Sequence, residues 1–186
     1  MSGCNGEGAG INSFALVSYL PDPLAAFLDG LRKELESECR SRAHVTVLPP
    51  RPLECDSGQA RGELIAGLQD FQPFLIELGG IQIFPVTNVI YVSVVRGGAE
   101  LKTLHARLNG GCLSFEEPFP YHPHVTLAQE LEPHAAGAVA EIAAARWRDF
   151  PGERAFVLDR LTFVQNTLGN RWNDLRAFRL AARVPI

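Results

Sequence analysis

The sequence lacks long apolar runs and an excess of positive charge, and each absence excludes a class of protein. No segment approaches the roughly 20 apolar residues of a bilayer-spanning helix, so we expect no membrane association. The formal net charge of −4 argues against a broad basic surface for long duplex nucleic acid. A small nucleotide, or an RNA end held in a local cleft, remains compatible with this charge.

Cysteine motifs and export signals are also missing. The four cysteines are scattered without a C-x-x-C pair, which argues against a zinc ribbon or a dithiol site (Cys4, Cys39, Cys55 and Cys112). The start, "MSGCNGEGAGIN", has neither the basic nor the apolar segment of a secretory signal. We therefore expect reduced thiols, a cytoplasmic location and a flexible tail over residues 1–12.

What is present is the composition of a globular protein, with 46% hydrophobic and 20% charged residues among 186. The order strand, helix, short strand is predicted over residues 14–50 and again over residues 89–129. A helix and a strand follow each unit, the second of these strands covering residues 154–166, and a last strand closes the chain. This repeated order predicts an α+β fold in which residues 13–186 form one domain with two βαβ-type lobes around a pseudo-twofold axis.

The first helix shows how these elements are inferred. Its leucines and one phenylalanine recur at helical spacing and form an apolar stripe (Leu24, Phe27, Leu28, Leu31 and Leu35). Asp22 is predicted to cap the helix, and Pro23 suits its first position.

The two short strands carry nearly the same tetrapeptide, "HVTV" from His44 and "HVTL" from His124, 80 positions apart. Side chains alternate between the faces of a strand, so each histidine shares a face with the threonine two residues later. The valines and leucine between them point to the other face and are expected in the core. If the two lobes face each other, two imidazoles and two hydroxyls meet in one cleft.

Such a cleft suits acid–base catalysis on a phosphodiester. A neutral imidazole can accept a proton from water or a ribose hydroxyl, while an imidazolium protonates the leaving oxygen. The hydroxyls of Thr46 and Thr126 can donate hydrogen bonds to the non-bridging phosphate oxygens. One such tetrapeptide alone is weak evidence, because a single histidine on a strand is usually structural, but packing does not explain two copies at matching positions.

The paired H-x-T-x tetrapeptides, each after a strand–helix unit, resemble the 2H phosphoesterase superfamily, and in particular its bacterial 2′-5′ RNA ligase-like and cyclic phosphodiesterase branch. The resemblance covers Phe14 to Leu180. It implies a bilobal α+β fold with antiparallel sheets around a central cleft. It also implies metal-independent action on 2′,3′-cyclic phosphates of RNA ends, on ADP-ribose cyclic phosphate or on 2′-5′ linkages, without a cofactor. The catalytic residues that it implies are His44, Thr46, His124 and Thr126.

The chain departs from the RNA-processing members after the second motif. A basic residue is expected there, but the sequence has Gln129 and Glu130. A small nucleotide or a short RNA end with a cyclic phosphate is therefore the expected partner, and the oligomeric state is left open. Two alternatives remain: a nucleotide-binding module without turnover, and 2′-5′ RNA ligation in the same cleft. Which histidine is the acid and which the base also stays open.

Two further residues are predicted to bind the substrate. Tyr121, just before the second motif, can stack on a base or bind a phosphate, although packing is the common role of an aromatic residue there. Arg51 follows the double proline and can bind a phosphate with its planar guanidinium, the alternative being a solvated loop arginine.

The remaining histidines receive weaker assignments. His122 forms an H-x-H pair with His124, which is a possible metal pair, but the sequence offers no clear third ligand, so no metal is expected. His105 and His134 are expected at the surface. Phe84 is expected in the core, with lining of the cleft as the alternative.

Overall fold

The computed structural model describes residues 9–37 and 41–180, and within these ranges the chain forms eight strands and four α-helices. The strands are β1 (Gly10–Tyr19), β2 (His44–Arg51), β3 (Phe74–Ile83), β4 (Ile90–Arg96), β5 (His124–Ala128), β6 (Ala155–Leu158), β7 (Arg160–Thr167) and β8 (Trp172–Arg179). The helices are α1 (Leu24–Leu35), α2 (Ser57–Leu68), α3 (Gly98–Leu108) and α4 (Pro133–Arg148), with a short 3₁₀ turn at Gly111–Leu113.

The strands form two antiparallel sheets, which confirms the predicted bilobal α+β fold. The first sheet has the order β2-β1-β7-β8 and the second the order β5-β4-β3-β6. The motif strands β2 and β5 are therefore both edge strands, and they pack against each other where the lobes meet. We call the first sheet with α1 the first lobe, and the second sheet with α3, α4 and residues 109–123 the second lobe.

The core forms as the apolar patterns predict. Val45 and Val47 on β2, and Val125 and Leu127 on β5, are completely buried. Leu28 on α1 and Leu104 on α3 lie in the same core, which is continuous across both lobes. Since the apolar positions of the tetrapeptides face this core, strand alternation turns the histidines and threonines the other way.

Helix α1 begins one residue later than predicted. Pro23 occupies the N-cap position, and the first helical residue is Leu24. The Asp22 carboxylate still accepts a hydrogen bond from the Ala26 amide at 3.1 Å, so it satisfies one of the unpaired donors of the first turn. No helix in the described part of the chain is both long and apolar enough to cross a membrane.

Two predicted boundaries are wrong. The strand predicted over residues 154–166 is interrupted at Asp159: β6 pairs with β3 in the second sheet, and β7 pairs with β1 in the first. At the other end, β1 begins at Gly10 and pairs with β7 from there, so residues 10–12 of the predicted tail belong to a strand. Residues 1–8 of that tail lie outside the described residues.

The prediction of reduced thiols is wrong for one pair of cysteines. Cys55 and Cys112 form a disulfide that joins the segment before α2 to the 3₁₀ turn, across 57 positions of sequence. No local spacing signal marks such a pair, and Cys4 and Cys39 lie outside the described residues. Because disulfides are typical of oxidising compartments, this pair does not support the expected cytoplasmic location, which stays a prediction.

Candidate functional site

The two histidine–threonine pairs lie on facing edge strands. His44 and Thr46 on β2 are half-buried, as are His124 and Thr126 on β5. Their strands contact each other directly, so the two pairs that the sequence singles out lie on adjacent strands, and the joint action of the four side chains stays a prediction. The charge of His124 is also one of the influences on the pKa of His44, as expected for neighbouring imidazoles.

Each histidine is oriented by the same local contact. Nδ1 of His44 lies 2.6 Å from the backbone carbonyl oxygen of Arg42, and Nδ1 of His124 lies 2.6 Å from that of His122. A carbonyl only accepts hydrogen bonds, so Nδ1 carries the proton in both rings. Nε2 is then the nitrogen of each imidazole that is left to exchange a proton with a ligand.

Both imidazoles favour the neutral form. Burial is the largest influence on His44 and lowers its pKa to about 4, with further lowering by the positive charges of Arg32 and His124. Burial also lowers the pKa of His124; the hydrogen bond to the His122 carbonyl opposes this effect, and the charge of the His122 ring adds a smaller lowering. Both rings are thus proton acceptors at pH 7, and a phosphate anion between them would favour protonation of either one.

A polar cluster surrounds His44 in the first lobe. The guanidinium of Arg42 stacks on the ring of Tyr19 at 3.5 Å and pairs with the Asp174 carboxylate at 2.7 Å. The Tyr19 hydroxyl also donates to Asp174, at 2.6 Å, and the Tyr19 ring meets the His44 ring edge-on. Burial and the bond to Asp174 raise the pKa of Tyr19 to about 12.

This polar cluster borders a cavity of about 560 Å³. Two of its lining residues, Tyr19 and Thr162, lie on the same face of the sheet as the motif. Tyr19 pairs directly with His44, and Thr162 pairs with Val17, which in turn pairs with Thr46. A smaller hollow of about 290 Å³ lies between β3 and α4, and it contains no residue of either tetrapeptide.

An aromatic cluster takes the corresponding place in the second lobe. The ring of Phe84 stacks on Tyr91 at 4.0 Å and meets the rings of His122 and His124 edge-on at 5.3 and 5.0 Å. Phe84 thus lies beside the second motif, the alternative considered from the sequence. The two lobes therefore differ around the motifs: charged groups lie near His44, and aromatic groups lie near His124.

The expected substrate contact from Arg51 is wrong in this structure, because Arg51 is only 2% exposed. Its guanidinium donates to the carbonyl oxygens of Pro49 and Leu113, to the Asn109 side chain and to the Glu117 carboxylate. With these partners in the protein interior, Arg51 joins β2 to the loop before β5 and does not face the cleft.

Tyr121 is also held by protein groups. Its hydroxyl donates to the backbone carbonyl of Thr46 at 2.7 Å, and its ring stacks on His105 at 4.0 Å. His105 is therefore not the surface residue that the sequence suggests: it is half-buried, and Nδ1 lies 3.0 Å from the Val47 carbonyl oxygen. Both contacts reach β2 from the second lobe.

The H-x-H pair does not extend into a metal cluster. His122 is exposed, and its ring packs edge-on against Phe84 and Tyr91. Over residues 9–37 and 41–180, no three histidine, cysteine, aspartate or glutamate side chains are grouped as metal ligands. His134 lies exposed near the start of α4, as expected.

Arg32 and Tyr19 are neighbours of the motifs that were not predicted from the sequence. Arg32 is buried, although it is a charged residue, and its Nη1 donates to the backbone carbonyl of Thr126. The signal in the sequence is its position next to Leu31, at the border of the apolar stripe of α1.

Comparisons with known proteins agree with this architecture. The sequence profile of the 2′-5′ RNA ligase superfamily matches residues 20–170. A Bacillus cytotoxicus protein named "Putative phosphoesterase" is 28% identical over 161 residues, which cover 82% of this chain and 87% of that protein. A protein of the same designation from Bacillus cereus strain B4264 is 27% identical over the same length and coverage.

Solved structures show the same fold at low sequence identity. Escherichia coli LigT in its apo form superposes with a TM-score of 0.63 at 15% identity, covering 92% of this chain and 98% of that one. TT0787 of Thermus thermophilus gives a TM-score of 0.61 at 19% identity, covering 90% and 97%. Since the family profile spans most of the sequence and includes both H-x-T strands, the chain belongs to the 2′-5′ RNA ligase superfamily, the 2H phosphoesterases.

Proposed function

We propose that this protein is a metal-independent phosphoesterase that opens 2′,3′-cyclic phosphates of nucleotides or short RNA ends. The observation that carries the proposal is the equivalent anchoring of the two histidines. Nδ1 of His44 and Nδ1 of His124 each bond a backbone carbonyl, which leaves Nε2 of both rings for proton transfer. Holding a phosphate alone does not require two such groups.

The reaction follows from two rings in opposite protonation states. One neutral imidazole accepts a proton from water as the water oxygen attacks phosphorus. The bond between phosphorus and one ribose oxygen breaks, and the other ring, as imidazolium, donates its proton to that oxygen. The products are a phosphomonoester and a free ribose hydroxyl, and the two rings have exchanged protonation states. Because burial lowers the pKa of both rings, the bound phosphate anion is what stabilises the imidazolium.

The threonines supply neutral donors for the phosphate. Each hydroxyl lies on the same strand face as its histidine, so Thr46 and Thr126 can both donate to non-bridging oxygens while the imidazoles act on the bridging ones. Fixed donors directed at the oxygens where charge develops stabilise the transition state without reorganisation.

The comparisons support a nucleotide substrate. Crystal structures of E. coli LigT include complexes with 3′-AMP, with phosphate, with ATP and with NADP⁺. Relatives of this chain are named phosphoesterases. The net charge of −4 favours a small nucleotide, such as a cyclic mononucleotide or ADP-ribose cyclic phosphate, over a long RNA.

The direct test is hydrolysis of a 2′,3′-cyclic nucleotide in excess EDTA by the wild type, His44→Ala and His124→Ala. We expect the wild type to turn over the substrate and each variant to lose at least about a hundredfold in kcat, since each lacks one proton-transfer group. Wild-type turnover in either variant would refute the paired-histidine mechanism, and loss of wild-type activity in EDTA would favour a metal site.

Ligation is the second candidate, favoured by the family to which the chain belongs. The same groups acting in reverse would join a ribose hydroxyl to a cyclic phosphate and form a 2′-5′ linkage. Incubating the protein with an RNA carrying a 2′,3′-cyclic phosphate and an RNA with a free 5′ hydroxyl separates the two activities. Tight binding with no product from either reaction would instead favour a nucleotide-binding module.

A further inference from the structure

The two edge strands meet without forming a continuous sheet. β2 ends the first sheet and β5 ends the second, and the strands belong to separate hydrogen-bonded ladders. Edge strands leave backbone carbonyls without a ladder partner. Side chains from the opposite lobe bond three backbone carbonyls where β2 and β5 meet, and two of the three belong to Thr46 and Thr126.

The two threonine carbonyls are bonded reciprocally. The hydroxyl of Tyr121, in the second lobe, donates to the carbonyl of Thr46 in the first lobe at 2.7 Å. Arg32, on α1 of the first lobe, donates from Nη1 to the carbonyl of Thr126 in the second lobe. Each donor thus holds the backbone of the motif threonine in the opposite lobe.

A third contact supports Tyr121. His105 on α3 bonds the carbonyl of Val47 through Nδ1, and its ring lies flat on the Tyr121 ring, with an interplanar angle of 10°. Arg32 and His105 occupy similar places on their helices, since each directly follows a buried leucine, Leu31 on α1 and Leu104 on α3.

We propose that Tyr121 and Arg32 are positioning residues that set the distance between the two histidine–threonine pairs. Acid and base must reach the same phosphate, so the relative placement of the two strands determines the rate. A displacement of about 1 Å can cost a hundredfold in catalysis. The test by enzyme activity rests on the proposed function. The placement of the two strands by these hydrogen bonds does not depend on it.

The primary experiment compares two hydrogen-bond deletions between the lobes. Tyr121→Phe removes only the donor to the Thr46 carbonyl. Arg146→Gln, the matched control, breaks an exposed ion pair between the lobes, from α4 to Glu34 on α1, at 2.8 Å. On a 2′,3′-cyclic nucleotide we expect kcat to fall about tenfold or more in Tyr121→Phe and to stay unchanged in Arg146→Gln. KM should change by less than about threefold, because the phosphate-binding side chains are intact.

An NMR titration tests the geometry without any turnover. His124→Gln removes one of the positive charges that lower the pKa of His44, so it should raise that pKa. We expect a smaller rise in the Tyr121→Phe background, where the strands are less closely held, and the full rise in the Arg146→Gln background. Arg32→Gln tests the reciprocal bond in the same two assays and should behave as Tyr121→Phe does.

The outcomes separate the two proposals. The positioning role would be overturned if Tyr121→Phe had the kcat of the wild type and if His124→Gln raised the pKa of His44 by the full amount in that background. An inactive wild-type protein in which Tyr121→Phe still weakens the coupling would instead refute the proposed hydrolysis and leave the positioning role in place. Equal losses in Tyr121→Phe and Arg146→Gln would show that any contact between the lobes matters, which would also overturn the specific role of Tyr121.

Discussion

Arg51 and Glu117 form an ion pair of 2.5 Å in the protein interior, although they are 66 positions apart. The Arg51 side chain is 1% exposed and that of Glu117 is 11% exposed. Asn109 and Leu113, from the same loop of the second lobe, complete the surroundings of the guanidinium. A residue that looks from the sequence like a phosphate ligand is therefore part of the contact between the lobes.

Arg51→Met should destabilise the protein without affecting substrate binding. Removing one partner of a buried pair leaves the Glu117 charge uncompensated and typically costs about 3–5 kcal/mol. Urea unfolding measures the loss, and Arg51→Met combined with Glu117→Gln should recover part of it. A variant of normal stability with a raised KM would restore the substrate-binding interpretation.

Thr46→Val and Thr126→Val should lower kcat by about 10- to 1,000-fold each, because valine keeps the shape of the side chain and loses the donor to the phosphate. Serine at either position should restore most of the rate. The control is Thr103→Val on the exposed face of α3, where the hydroxyl bonds only a local carbonyl. Steady-state kinetics on a cyclic nucleotide measure kcat. Full activity in both valine variants would exclude a role of the threonine hydroxyls in catalysis.

Acid should destabilise the protein through His44. Its folded-state pKa of about 4 lies below the ordinary value of 6.5. Between these values the unfolded chain binds the proton and the folded chain does not, so stability falls as pH decreases through 6.5 and the effect levels off below about 4. The loss attributable to this group is on the order of 3 kcal/mol.

Chemical unfolding between pH 7.5 and 4 tests this dependence on the wild type and on His44→Gln. The variant should lose less stability on acidification than the wild type. His134→Gln, at an exposed histidine near the start of α4, is the control and should follow the wild-type curve. Identical slopes in His44→Gln and the wild type would contradict the assignment to His44.

Reduction of Cys55–Cys112 should lower the free energy of unfolding by about 4 kcal/mol, as expected from the chain entropy of a loop closed across 57 positions. Thermal unfolding with and without a reductant measures the effect. The double variant Cys55→Ser with Cys112→Ser should unfold at the temperature of the reduced wild type, and the reductant should not change its unfolding midpoint. A wild-type midpoint that does not respond to reductant would show that the bond is not formed in solution.

The local elements and the paired motifs could be predicted from the sequence because their signals are local. The leucine stripe of α1 has the helical period, and "HVTV" and "HVTL" have the alternation of strands, so faces as well as elements follow. The predicted partnership of His44 and His124 needed only the repeat of the strand–helix–strand unit, and the structure places these residues on adjacent strands.

Long-range pairings outside the repeat could not be predicted, because no local pattern encodes them. The chain crosses from one sheet to the other at Asp159, inside an apolar run that looks like one strand. Arg51 and His105 are polar residue types that are usually exposed, and only partners far away in sequence make their burial favourable. The disulfide partners are likewise brought together by the tertiary fold alone.

The order of the strands also constrains how the chain can reach its native state. β3 follows the first motif in sequence but belongs to the second sheet, and β7 and β8 come last but complete the first sheet. During synthesis from the N-terminus, β1 and β2 must wait as an incomplete pair until residues 160–179 have left the ribosome. The two lobes look like a duplication, yet any cut between the two motifs would leave β1 and β2 in one fragment and β7 and β8 in the other, so the first sheet would always be divided.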